Sequence, residues 1–308
     1  MLPSGLSMLW ETDEPGEALR QRFGFGDQDA VADWLTDVLA EEWGITVRDC
    51  PRLVISDQNA IAWVASDDRD YVVKWSRDRD RFPRLDASTR LLRDLAAHDL
   101  PVAAPAASTA GHVRVELEGP AGRLSIAVLP ELPGSWLDVT DRDAVRAAGA
   151  CLADLHRALR ISDVDPALRE GSPRSVRTRI EGWLSSQRHR AGNAAFSRLE
   201  RLVEDAPPLE GGPQLVHRDY RAANILTRES TVVGILDFDD VTMDHRVNDL
   251  AQACVYLATR FTNWGPTEPA TQRLLWQAYH AVSPLSASEQ VWLEILVLWQ
   301  GLQAFPNP

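Results

Sequence analysis

Long apolar runs are missing from this sequence. Nowhere do about 18 apolar residues follow one another, which excludes a membrane-spanning helix legible from hydropathy. The opening residues, Met1 to Trp10 and then an acidic stretch, have neither the basic nor the apolar region of a secretory leader, so a cytoplasmic protein with no membrane partner is expected. Cysteine is scarce: Cys50, Cys151 and Cys254 are odd in number, far apart and in no metal-ligand spacing, which argues against both a disulfide framework and a zinc site. Basic charge is in deficit as well, with 32 Lys and Arg against 45 Asp and Glu and a formal net charge of -13. A nucleic-acid partner needs a basic face to neutralise phosphates, and this chain can hardly assemble one. A cationic substrate would be welcome; the alternative is that the acidic balance serves solubility alone.

What is present is an ordinary globular composition, 44% hydrophobic over 308 residues, enough for one large or two modest domains. From Gln28 a helical pattern runs through Val31, Trp34, Leu35, Val38 and Leu39, with Asp29 placed to cap it and Gly44 to end it. Short strand-like runs follow at Arg52–Ser56, Ala60–Val64 and Tyr71–Trp75, separated by polar turns, and predict an antiparallel meander. A helix is predicted over Leu85–Leu100 and further strands over His112–Leu117 and Leu124–Leu129. Pro130-Glu-Leu-Pro-Gly134 breaks the pattern, and helical periodicity dominates beyond it. There, Thr140 or Asp141 can cap a helix whose apolar face includes Val145, Ala148, Leu152, Leu155 and Leu159, with His156 on or beside that face as a hydrogen-bonded core residue.

The informative segment is His217-Arg-Asp-Tyr-Arg-Ala-Ala-Asn224, an acid and an amide five residues apart between strand-like runs, followed by Asp237 at the end of an apolar strand. Phosphoryl transfer asks little covalent chemistry of a protein. It needs one carboxylate to orient and deprotonate the attacking hydroxyl, and hard oxygen ligands for Mg²⁺. Asp219 suits the first role, Asn224 and Asp237 the second. The spacing His-Arg-Asp-x-x-x-x-Asn is that of a kinase catalytic loop, and four such fixed positions arise by accident in a chain of this size at well under about 1%. The alternative is a tight Asx-type turn with no chemistry.

These residues resemble the aminoglycoside phosphotransferase and choline-kinase superfamily. Gly234-Ile-Leu-Asp-Phe-Asp-Asp240 is similar to that family's metal-binding segment, and Asn248-Asp-Leu-Ala251 to the helix after it; Arg218 stands where the family usually has glycine. The resemblance implies an α+β, protein-kinase-like two-lobed fold: an N-terminal extension over 1–27, an antiparallel-sheet N-lobe over 28–130 and a mainly helical C-lobe over 131–308. It also implies ATP and Mg²⁺ as cofactors, with GTP left open, and O-phosphorylation of a small hydroxylated, amine-bearing acceptor. By the same resemblance Lys74 pairs with the α- and β-phosphates, the turn from Ser56 to Asn59 covers the nucleotide, and backbone near Leu129 and Glu131 contacts adenine. Asp239 supports the metal site and Asp249 is structural. Two departures stand out. The turn has no glycine, and no Glu lies between Lys74 and Leu100 to fix the lysine, so Asp86 is the substitute. They keep open a second reading, a nucleotide-binding regulator without turnover. A protein-kinase reading is disfavoured because no Ala-Pro-Glu motif follows Asp237. Asp240, Asp244 and Glu268 are candidate partners for a cationic acceptor, the alternative for each being an ordinary surface acid.

Overall fold

The computed structural model describes residues 4–169, 175–187, 193–261 and 265–304. The chain divides into two compact units, Met1–Pro133 and Gly134–Pro308.

In the first unit the elements run β1 (Gly5–Met8), α1 (Pro15–Phe23), α2 (Gln28–Val38), β2 (Val47–Ile55), β3 (Asn59–Ser66), β4 (Tyr71–Ser76), α3 (Phe82–Ala96), β5 (Val115–Gly119) and β6 (Gly122–Pro130). They form a six-stranded sheet of order β1-β2-β3-β4-β6-β5, antiparallel except that β1 joins β2 in parallel. The stretch before Gln28 therefore contributes a strand and a helix of its own. Asp27, not Asp29, caps α2: its backbone is still extended, and its carboxylate accepts the Ala30 N–H at 2.9 Å, while Asp29 already lies in the first turn. The helix widens into one π-type turn, Leu39–Trp43, and stops at Gly44, whose φ of 66° a side chain would resist. Helix α3 begins three residues earlier than the periodicity suggested, because Pro83 occupies a first-turn position where its missing N–H costs nothing.

Strict alternation decides which sheet face is core. Ala60, Ala62 and Val64 of β3 and Tyr71, Val73 and Trp75 of β4 point inward against α1 and α2, where Trp75 meets the rings of Phe23 and Trp34 edge-on. Burying each such large side chain contributes about 1.5–3 kcal/mol. By the same two-residue period, Ile61, Val72 and Lys74 occupy the opposite, half-buried face.

The second unit comprises β7 (Ser135–Trp136), α4 (Arg142–Ile161), α5 (Pro166–Arg169), α6 (Val176–Ser186), α7 (Ala194–Glu204), β8 (Gln214–Val216), β9 (Ile225–Arg228), β10 (Thr231–Ile235), β11 (Thr242–Asp244), α8 (Arg246–Tyr256), α9 (Pro269–Val282) and α10 (Ala287–Ala304). Asp141 caps α4 with bonds from the Asp143 and Ala144 N–H groups. Helices α4 and α9 pack so closely that a Cβ on Gly149 would stand 2.3 Å from the Leu275 carbonyl oxygen. Two small antiparallel sheets, β10-β9-β7 and β11-β8, supply the strands on either side of residues 217–224.

Candidate active site

The loop begins where β8 ends. His217 is fully buried, and its ring bridges two segments: Nε2 donates to the Leu236 carbonyl at 3.0 Å, and Nδ1 accepts the Asp219 N–H at 3.2 Å. Those two bonds fix its tautomer. After the single turn Ala222–Asn224 the chain enters β9 and reverses through Glu229 and Ser230, both at positive φ as a tight hairpin requires. It returns along β10 so that the Leu236 N–H meets the Asn224 carbonyl at 2.8 Å. The next residue is Asp237.

Asp219 is held from two sides. Arg221 Nε donates to its Oδ1 at 2.7 Å, and Asn224 Nδ2 donates to its Oδ2 at 2.6 Å and to its backbone carbonyl at 2.9 Å. Burial pushes the Asp219 carboxyl above the ordinary carboxylate range, Arg221 pulls against that rise, and the nearby charge of Asp237 adds to it. The Asn224 side-chain nitrogen is thus spent on Asp219, and its side-chain oxygen Oδ1 is the atom left for a ligand. The Asp237 carboxylate, whose charge is felt at Asp219, offers oxygen of the same hard type. Among the described residues no group of three or more His, Cys, Asp or Glu gathers into a metal cage.

Buried acids fix the loop from behind. Asp249 of α8 accepts the N–H groups of His217 at 3.1 Å and Arg218 at 2.8 Å, and also a bond from His156 Nε2 at 2.9 Å; His156 Nδ1 meets the Tyr279 hydroxyl at 2.8 Å. Burial alone would raise the Asp249 carboxyl, but the bonds and charge of its neighbours, His156 foremost, hold it below the ordinary value. Asp244, offered above as a partner for a cationic acceptor, is instead 1% exposed and already committed to Arg179, Arg218 and Asn248. That assignment is corrected: its charge is neutralised within the unit. Arg218 has φ 72° and Asp237 φ 64°, the left-handed region that disfavours a side chain. This accounts for a glycine being easy at position 218. Here the Asp249 bond to its N–H and the Asp244 bond to its guanidinium supply what holds an arginine there.

In the first unit, Lys74 lies opposite Ala127 of β6 and Ile61 of β3, and Leu129 opposite Val72. Beyond Ile126, β6 has no β5 partner, and the Ala106 N–H bonds to the Val128 carbonyl there. The Glu131 N–H donates to the Asp70 carbonyl. The turn between β2 and β3 is closed on itself: the Ser56 N–H reaches the Asn59 carbonyl, the Asn59 N–H reaches Ser56 Oγ, and the Asp57 N–H reaches Glu11 Oε1 at 2.8 Å. Of these four residues only Gln58 keeps a backbone N–H without a partner among the described residues. Arg77 holds Gln58 in turn, through its carbonyl and its side-chain oxygen. Asp86 forms an ion pair with Arg90, one helical turn on, at 2.7 Å.

Sequence reasoning missed Arg221, Glu11 and the bracing role of Asp244, all set by tertiary contact. One usable signal went unread. Lys74 is the only lysine in the sequence, every other strong base being arginine.

A two-unit architecture with an antiparallel sheet in one part, helices in the other and this loop in the second defines a protein-kinase-like fold. The chain belongs to the phosphotransferase enzyme family, whose sequence profile matches residues 55–289. It is 28% identical over 237 residues to a homoserine kinase from Phenylobacterium zucineum (strain HLK1), a match covering 70% of this chain and 65% of that relative's length. Among solved structures, it is similar to a macrolide 2'-phosphotransferase from Brachybacterium faecium, with TM-score 0.62, 21% identity and coverage of 89% and 92% of the two chains. An amicoumacin kinase in complex with AMP-PNP and Ca²⁺ gives TM-score 0.57, 17% identity and coverage of 90% and 86%.

Proposed function

We propose that this protein transfers the terminal phosphoryl group of ATP, with Mg²⁺, to a hydroxyl of a small amine-bearing acceptor. The observation that carries the reading is the Asn224 side-chain amide, which orients Asp219 through two bonds and keeps its own side-chain oxygen for a metal. Asp219 receives the proton of the attacking hydroxyl; its raised affinity for protons suits a base that must take one up and release it. Asn224 and Asp237 would hold the metal, which when bound neutralises charge on the transferring group. Lys74 would meet the nucleotide phosphates, the Gln58 N–H is the amide of the covering turn still free to do so, and the backbone about Leu129 and Glu131 would take the base. Asp86 would serve as the substitute acid for Lys74, in competition with its half-exposed ion pair to Arg90. Retention of one lysine in a chain otherwise built with arginine supports a task for a compact ammonium rather than a planar fork.

The acidic balance of the chain and the homoserine substrate in the name of its relative both favour an acceptor that carries an amine. The test is ADP release from ATP and Mg²⁺ across aminoglycosides, macrolides, amino alcohols and hydroxy-amino acids, with Asp219→Asn beside the parent protein. Turnover with one class, lost in the variant, is the expected result. ATP binding without turnover on any acceptor would favour the regulator, and turnover kept by Asp219→Asn would remove Asp219 from the chemistry.

A further inference from the structure

The second unit contains a cavity of about 490 Å³ that includes none of Asp219, Asn224 and Asp237 in its walls. It is bounded by the last turns of α4, the loop that leads into β8, the start of α8 and the connection from α9 to α10. Charged side chains, Arg157, Arg160, Glu210, Arg246 and Glu289, stand among its walls, so a charged ligand can find partners there. The question is which of its charges are already spent. Arg246 and Glu289 close on each other through two bonds of 2.7 Å, with the remaining guanidinium nitrogen on Ser283 Oγ. That pair is neutral and complete. Arg157 gives a single bond to Asp154. Arg160, one turn further along α4, has no hydrogen bond or ion pair among the described residues.

The loop opposite adds donors of another kind. The consecutive N–H groups of Gly211 and Gly212 bond to nothing else in the protein among the described residues, and Gly211 is in the left-handed region at φ 81°. Successive amides beside a left-handed residue form a concavity that collects anions. One free guanidinium, a second with most of its donors unspent, and two free amides thus face a common space in a protein whose net charge is -13. Glu210, at the exposed rim, is the one opposing charge not already neutralised.

We propose that this cavity is a second ligand site, for a small anion bearing a carboxylate or a phosphate, and that its occupancy steadies the catalytic loop. The route is short. His156 is both a wall of the cavity and the partner of Asp249, which holds the His217 and Arg218 N–H groups. Gln214, another wall residue, donates to the His156 carbonyl and begins the strand that ends at the loop. A ligand bracing these elements favours the closed arrangement of all of them by mass action. Binding rests on the cavity alone; only its effect on turnover would rest on the role assigned to Asp219.

The experiment uses the full chain without nucleotide. Inorganic phosphate and acetate are titrated separately at constant ionic strength against sodium chloride, and melting temperature and amide hydrogen exchange are followed. At roughly ten times the dissociation constant, Tm should rise by about 2–5 °C and exchange at His217 and Arg218 should slow by about tenfold. Response to phosphate alone or to acetate alone identifies the anion. Arg160→Gln, an exposed change that leaves the packing untouched, should abolish both responses, and Glu210→Gln should tighten binding. A response matched by chloride, or kept in Arg160→Gln, overturns the site. Binding weakened by Glu210→Gln overturns the anion assignment, and a Tm rise without slower exchange at His217 and Arg218 overturns the coupling.

Discussion

Two polar turns between strands, Ser56–Asn59 in the first unit and His217–Asn224 in the second, solve different problems with similar residues. The first is short: Ser56 and Asn59 satisfy each other, with Arg77 and the distant Glu11 added, 19 and 46 residues from their partners in the turn. The second also bonds within itself, through His217, Asp219, Arg221 and Asn224, and is held in addition by two acids, each 1% exposed, Asp249 through backbone amides and Asp244 through Arg218. The first turn is held mainly by its own atoms; the second adds buried acids from β11 and α8.

The contrast is sharpened most by Asp219→Asn, which should lower kcat by about 10²–10⁴-fold with nucleotide affinity and Tm little changed. Asp249→Ala should instead be a folding defect, costing about 3–5 kcal/mol in denaturant titration because His156 and two loop amides lose their shared acceptor. The sign of its pH dependence follows from a lowered pKa. The Asp249 contribution is complete above the unfolded-state value of about 3.9 and is lost as pH falls through the lower folded value, so the variant should show a flatter acid limb there. Gly149→Ala, which drives a methyl group at the Leu275 carbonyl, should cost about 1–3 kcal/mol by forcing α4 from α9. Arg221→Gln should reduce kcat by about 10–100-fold with KM nearly unchanged, since Asn224 still holds the other Asp219 oxygen. The first turn should respond least. Glu11→Gln is expected to shift stability by under about 1 kcal/mol and nucleotide KM by a few-fold, and a large loss of kcat there would erase the distinction between the turns.

Much of this was legible in the chain. The meander, the break at Pro130–Gly134 and the helices beyond follow from period and punctuation, and the loop motif follows from the chemistry that a phosphoryl acceptor needs. Other features were not. Strand β1 is four residues long and gains its identity only by pairing with β2, so no window of sequence distinguishes it from a tail. Asp244 and Asp240 look equally available as acids, yet one is buried under two arginines and the other is exposed, a difference made by chain segments tens of residues away. Arg221 resembles any of the arginines until the folded chain sets its guanidinium between Asp219 and the Arg260 carbonyl.

The solitary lysine has a practical corollary. Apart from an amino terminus, Lys74 carries the only primary amine among these 308 residues, so an acylating reagent, a fluorescent ester or an isotopically labelled methyl donor marks a single strand position within them without any engineered substitution.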